Sequence, residues 1–148
     1  AMELEEAGLS FTEIEKRLYA YRDEMLTYFV LDNLETLRKN GRLSAVKSMV
    51  AQTLSIKPVM SATEGVIIQK SQAIGIRKAL HKMIEYMQKE VKGLAGKRII
   101  ITHCNCRERA EYVKELLQGA VQAREVLILD TAGVSSLYAN DGGVIVTA

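Results

Sequence analysis

Thr102-His103-Cys104-Asn105-Cys106 is the densest group of reactive side chains in the sequence. Imidazole and thiolate are zinc ligands, and a pair of thiols can also carry redox chemistry. A structural zinc site, however, draws on two ligand clusters with regular spacing. Here His103, Cys104 and Cys106 crowd into one segment, and the other histidine, His81, stands alone in a helical stretch. No metal ligand is assigned, and the plainer reading is a run of small residues opening a helix. His103 keeps a second reading, as a polar group facing a ligand. The segment sits where an apolar strand gives way to a helix, and open α/β sheets place ligands beyond the C-terminal ends of parallel strands.

Arg42 follows Gly41 in a turn between two helical stretches. A turn arginine is ordinarily just solvated, yet its five-donor fork also suits a carboxylate or phosphate. The stretch from Asp130 to Gly143 joins two apolar strands and is rich in glycine and hydroxyls, among them Ser135, Ser136 and Tyr138. Exposed backbone N–H groups in such a loop can hold an anion. It lacks the Gly-Lys-Ser/Thr ending of a phosphate loop, and it reads equally as an ordinary connection. No serine has the context of a nucleophile elbow, and the acids lie on polar helix faces, so no catalytic residue is assigned.

The elements that must position these residues follow from periodicity. Ser10 and Glu13 form a capping box, and Ile14, Leu18, Tyr21 and Met25 continue it at helical spacing to about residue 26. Tyr28 to Leu31 reads as a strand. Asp32 is placed to cap a short helix from Leu34 to Lys39 that Gly41 stops. Ser44 can cap a further helix bearing Val46, Met49, Val50 and Leu54. Pro58 sets the strand Ile56 to Met60 at an edge or interrupts it, and Glu64-Gly65 turns the chain into the strand Val66 to Ile68.

After Gly75 comes the longest helical stripe, Ile76, Leu80, Met83, Ile84, Met87 and Val91, closed by Gly93 and Gly96. Then Ile99 to Ile101, a helix with Ala110, Val113, Leu116 and Leu117, and Val126 to Leu129 make a βαβ unit with a buried parallel pair. A last strand, Val144 to Val146, follows Gly142-Gly143. The expectation is one α/β domain, residues 1–148, with a mixed, partly parallel sheet flanked by helices.

Composition narrows the function classes. A net charge of +2, with basic residues interleaved among acids, argues against a nucleic-acid surface. The apolar runs fall far short of the roughly 20 residues of a membrane span. The acidic start (Glu3, Glu5, Glu6) is unlike a signal peptide, and Cys104 and Cys106 stand too close for a useful disulfide, so a reducing cytoplasm is the expected location.

Read in order, several segments resemble one family. They are Val30-Leu31-Asp32-Asn33-Leu34, Leu37-Arg38-Lys39-Asn40-Gly41-Arg42-Leu43-Ser44, Ile56-Lys57-Pro58-Val59, the helix start Ile74-Gly75-Ile76-Arg77-Lys78-Ala79-Leu80, the strand ending at His103, and Asn140-Asp141-Gly142-Gly143-Val144-Ile145-Val146. Nearly the whole chain is similar to the C-terminal half of DegV-family proteins. That resemblance implies a two-domain α/β protein holding one long-chain fatty acid between its domains. It also implies a bacterial carrier that presents the acyl carboxylate to a separate fatty acid kinase subunit, without a catalytic base or cofactor of its own. The family's N-terminal domain, with its Thr-Ser head-group motif, is not in this sequence. The family's closing loop carries a histidine before a Gly-Pro-Gly turn, and matching that turn to Asn140-Asp141-Gly142 puts Tyr138 at the histidine position. On this footing Tyr138, Ser135, Ser136 and His103 are the expected ligand-facing residues, and Arg42, in the family's Gly-Arg turn, faces the kinase partner. Two other readings stay open. One is a self-contained interaction or regulatory module, dimeric through an exposed apolar face. The other is a small-molecule phosphotransfer-related enzyme using His103 or the 130–143 loop.

Overall fold

Residues 28–31 decide the architecture, because they are apolar in both strand parities. In the computed structural model, which describes residues 1–43 and 55–148, Tyr28 and Val30 point to one side of the sheet and join the main core. Phe29 and Leu31 point to the other and join a second, smaller cluster. A sheet apolar on both faces needs cover on both, and the described helices provide it unequally.

The elements run α1 (Met2–Glu6), α2 (Phe11–Glu24), β1 (Thr27–Val30), α3 (Glu35–Lys39), β2 (Ile56–Thr63), β3 (Val66–Ile74), α4 (Ile76–Glu90), a 3₁₀ turn at Leu94–Gly96, β4 (Arg98–His103), α5 (Arg107–Ala120), β5 (Glu125–Asp130), α6 (Val134–Ala139) and β6 (Val144–Thr147). The strands order as β3-β2-β1-β6-β4-β5. Among the described strands only β4 and β5 pair in parallel, joined through α5 as the apolar pattern predicts; the other ladders are antiparallel. The sheet is therefore mixed and partly parallel.

α4 and α5 cover one face. Leu80, Met83 and Met87 of α4 are completely enclosed with Ile99, Ile101, Val113 and Leu117. Burying such a side chain contributes about 1.5–3 kcal/mol, so this layer carries most of the stability. Tyr28 lies beneath it, and its hydroxyl donates to Glu90 Oε2 at 2.6 Å, which also pairs with Lys70 at 2.8 Å. Burial first, and then the Glu90 carboxylate, push the Tyr28 phenol well above its ordinary range.

Several expectations need correction. Asp32 does not cap α3: the helix starts after Leu34 without a side-chain cap, and it is Asn33 Oδ1 that accepts the Glu35 N–H at 3.2 Å. Asp32 is drawn instead to Lys57 and Arg109. The 130–143 connection is not all loop, since it folds the helix α6. β2 is not an edge strand; Pro58 pairs with Gln72 of β3 but lies beyond the short β1 ladder at Met60 and Ser61, and the register shifts between Val59 and Met60. The strand expected over Val66 to Ile68 continues to Ile74. The capping box at Ser10 forms, with Ser10 N–H donating to Glu13 Oε2 at 2.9 Å. Yet no residue of α2 is buried, and Phe11 is 80% exposed. The helix expected from Ser44 to Leu54 lies outside the described residues.

Candidate functional site

The other face of the sheet, which Phe29 and Leu31 share, holds an apolar groove of about 300 Å³. β1 and the residue after it supply its floor with Thr27, Phe29 and Leu31, which alternate onto this side. Ile145 of β6 stands directly opposite Phe29 in the ladder, and Ile67 of β3 adds the flank. Leu37 of α3 and the pair Tyr138 and Ala139 of α6 wall the end at which β1 finishes. Among the described lining residues Arg42 alone carries a charge, and it stands at that same end. Its place follows from Gly41, whose φ of +66° ends α3 in the left-handed conformation and lets Arg42 N–H reach Leu37 O at 2.8 Å.

The walled end is held by a polar frame. Arg109 Nη1 donates to Asp32 Oδ2 at 2.9 Å and to the carbonyl of Gly142. Lys57 Nζ donates to Asp32 O at 2.6 Å. Thr36 Oγ1 donates to Asn140 Oδ1 at 3.0 Å, tying α3 to the turn after α6. Gly142 is required here: its φ is +81°, and a Cβ would drive into the Asp32 carboxylate and the Arg109 guanidinium. The turn that follows Tyr138 is thus fastened to the loop that follows β1.

The structure brings Tyr138 and Arg42 together at the groove and leaves the other expected residues apart. Ser135 is exposed, and Ser136 Oγ is engaged with Thr131 Oγ1 at 2.9 Å; neither lines the groove. His103 is 3% exposed and alternates with Ile99 and Ile101 toward the helix-covered side. Its Nδ1 accepts the Cys106 N–H at 3.4 Å. Nε2 lies 3.4 Å from Asp130 Oδ1 but in a direction that makes no hydrogen bond. The role this supports is structural, satisfying the amide at the start of α5. Burial raises the Cys106 pKa, the reverse of what a reactive thiol needs. Among the described residues no three His, Cys, Asp or Glu side chains gather as a metal set, and no helix is long and apolar enough to cross a membrane.

Residue-level reading missed the floor, Thr27, Phe29, Ile67 and Ile145, and the frame, Asp32, Arg109 and Asn140. The floor left one trace in the sequence, the unbroken apolar run through Tyr28 to Leu31. Asp32, Lys57, Asn140 and Gly142 of the frame fall in the segments that carry the family resemblance, but their pairing leaves no local signal because the members are far apart in the chain.

Comparison with known proteins agrees with this architecture. The family model described as an uncharacterised protein of the DegV family matches residues 1–148. A DegV domain-containing protein of Streptococcus pyogenes serotype M3 is 36% identical over 143 residues, which cover 93% of this chain and 49% of that protein. The crystal structure of a DegV-family protein from Ruminococcus gnavus, refined with vaccenic acid, superposes with a TM-score of 0.94 at 45% identity, over 99% of this chain and 52% of the other. The Fatty Acid Kinase B3 protein of Streptococcus pneumoniae, loaded with linoleic acid, matches with a TM-score of 0.86 at 32% identity, over 98% and 51% of the two chains. The chain spans about half the length of the relatives it matches. A family model spanning every residue and the close superposition on both solved structures lead to one conclusion: the chain belongs to the DegV family.

Proposed function

We propose that this chain is a fatty-acid-binding lobe, the C-terminal half of a two-domain cytoplasmic carrier that offers a long-chain acyl carboxylate to a separate kinase subunit. The observation that carries the reading is the apolar groove with Arg42 and Tyr138 at one end, in a fold whose 45% identical relative was refined with vaccenic acid. Hydrocarbon gains about 0.8 kcal/mol per buried methylene, so a groove with one polar end suits a long tail and a single charged head. Tyr138 supplies a hydroxyl to the carboxylate. Arg42 offers a surface cation to the kinase. The lobe itself supplies binding and presentation and no catalytic base.

Organic extraction and mass spectrometry of the two-domain protein purified from bacterial cells test this. One long-chain fatty acid per molecule is expected, with the 148-residue lobe alone retaining lipid weakly or not at all. A two-domain protein that carries no acyl carboxylate, and takes none up on incubation, would sink the reading.

The uncovered stripe of α2, with Phe11 80%, Tyr21 54% and Leu18 41% exposed, supports a second reading in which this lobe meets a further surface, including a second copy of itself. Sedimentation of the lobe decides it: a monomer at all concentrations removes the dimer.

A further inference from the structure

Asn140 ends α6 in an uncommon conformation, with φ +55° and ψ 172°. Asparagine enters the left-handed helical region readily, but there ψ stays near about +47°. A positive φ with an extended ψ is left almost entirely to glycine, and any other residue holds it under strain. At the opposite end of the same helix it is a glycine, Gly133, that supplies the positive φ. Position 140 carries a side chain instead, and that side chain is engaged. Its Oδ1 accepts the Thr36 hydroxyl at 3.0 Å, in a bond partly shielded from water. Its Nδ2 donates to the Tyr138 carbonyl at 3.4 Å and to Asn33 Oδ1 at 3.5 Å. These bonds matter because packing holds α6 lightly. Ala139 is its one buried residue, while Val134 is 69% and Leu137 58% exposed. Thr36 belongs to α3, whose Leu37 walls the groove beside Tyr138. The Asn140 amide therefore joins the two short helices that close one end of the groove.

We infer that Asn140 is a positioning residue for the fatty-acid head group: its amide latches α6 to α3, and so fixes where Tyr138 presents its hydroxyl, at the expense of strain in its own backbone. This rests on the acyl-binding reading above. Glycine at 140 would relax the backbone but leave α6 without its tie to Thr36. Asparagine keeps the tie and bears the strain. Asn140 touches no ligand itself; it acts through the helix that carries Tyr138.

Affinity is read on the delipidated two-domain protein, by displacement of dansylaminoundecanoate with oleate, and stability by thermal melts of the 148-residue chain. Asn140→Gly should lower affinity about fivefold, and Asn140→Ala at least as far, because both delete the amide. Alanine alone keeps the strain, so Asn140→Ala should melt below Asn140→Gly. Thr36→Val breaks the latch from α3 with residue 140 untouched and should lower affinity to the same extent, whereas Thr36→Ser keeps the hydroxyl and should bind as the wild type does. Beside Tyr138→Phe the latch has no donor left to place, so there Asn140→Gly should change affinity by less than about twofold. Wild-type affinity in Asn140→Gly, or a loss that persists at full size beside Tyr138→Phe, overturns the positioning role while leaving acyl binding intact. A wild-type protein from which oleate displaces no probe overturns the acyl-binding reading together with it.

Discussion

Arg109 Nη1 meets Asp32 Oδ2 at 2.9 Å across 77 positions of sequence, and through the Gly142 carbonyl it also holds the turn behind Tyr138. Both side chains are largely shielded, Arg109 at 23% and Asp32 at 35% exposure. Removing the acid leaves two cations, Arg109 and Lys57, facing one another without their shared partner. Asp32→Ala should therefore cost more than a surface pair does, roughly 1–3 kcal/mol. Arg109→Met, which keeps the packing of the stem, should cost less, about 1 kcal/mol. Urea midpoints of the two variants check the order; equal losses within error would mean that the charges do not act as a unit.

Gly142 and Gly65 share a left-handed backbone, φ +81° and +78°, but not their surroundings. A Cβ at Gly65 meets nothing, whereas one at Gly142 collides with Asp32 and Arg109. Gly65→Ala should cost about 1 kcal/mol for conformation alone. Gly142→Ala should cost at least about 2 kcal/mol, because the frame must open as well. Thermal melts compare them, and the larger drop in Tm belongs to Gly142→Ala. If the two variants melt together, the turn has room that the frame does not show.

Tyr28 makes stability fall in alkali. Its pKa is raised in the folded state, first by burial and then by the hydrogen bond and charge of Glu90. Below the unfolded phenol value of about 10, both states hold the proton and the contribution is whole. Above it the unfolded chain loses the proton while the folded chain keeps it, so stability declines as pH rises, by up to about 1.4 kcal/mol per unit from this group. Tyr28→Phe removes that dependence and, near neutral pH, should cost about 1–2 kcal/mol for the lost hydrogen bond to Glu90. Urea unfolding from pH 7 to 11.5 should show the wild type declining more steeply than Tyr28→Phe above pH 10. Parallel curves would mean that the phenol titrates alike in both states.

Much of the fold could be read directly. The α4 stripe Leu80, Met83, Ile84 and Met87 is buried as its spacing requires, and β4, α5 and β5 form the parallel unit that their apolar runs imply. What the sequence hid has physical causes. The α2 stripe, Ile14, Leu18 and Tyr21, has the same period as that of α4 yet covers nothing, because periodicity defines a face and not its partner. Phe29 and Leu31 are no less apolar than Tyr28 and Val30, so composition cannot say which parity is left for a groove. α6 was obscured by Gly133, Ser135 and Ser136, residues that favour turns over helix interiors. Asp32 preceded a helix and so suggested a cap; its partners Lys57 and Arg109 lie 25 and 77 positions away, beyond any local pattern. Of the proposed ligand-facing residues, Tyr138 takes its place from a family position and lines the groove, whereas His103 is buried with its Nδ1 on the amide at the start of α5.

Tyr138 and Arg42 share one end of the groove but should answer to different assays. In the two-domain carrier, Tyr138→Phe keeps the ring against the apolar wall and deletes one donor to the carboxylate. A hydrogen bond to a charged group contributes about 1.5–3 kcal/mol, so fatty-acid affinity should fall roughly tenfold to a hundredfold. Arg42 is exposed, and a solvated cation contributes little to a carboxylate it does not enclose, about 0–1 kcal/mol. Arg42→Ala should therefore leave lipid affinity within about fivefold of wild type. Its effect belongs to the encounter with the kinase subunit, where losing a rim cation lowers the association rate and flattens its salt dependence. Fatty-acid titration together with kinase turnover at two ionic strengths separates the two roles. If Arg42→Ala loses lipid affinity as strongly as Tyr138→Phe, with turnover falling only in proportion, Arg42 is a head-group ligand and not the surface that meets the kinase.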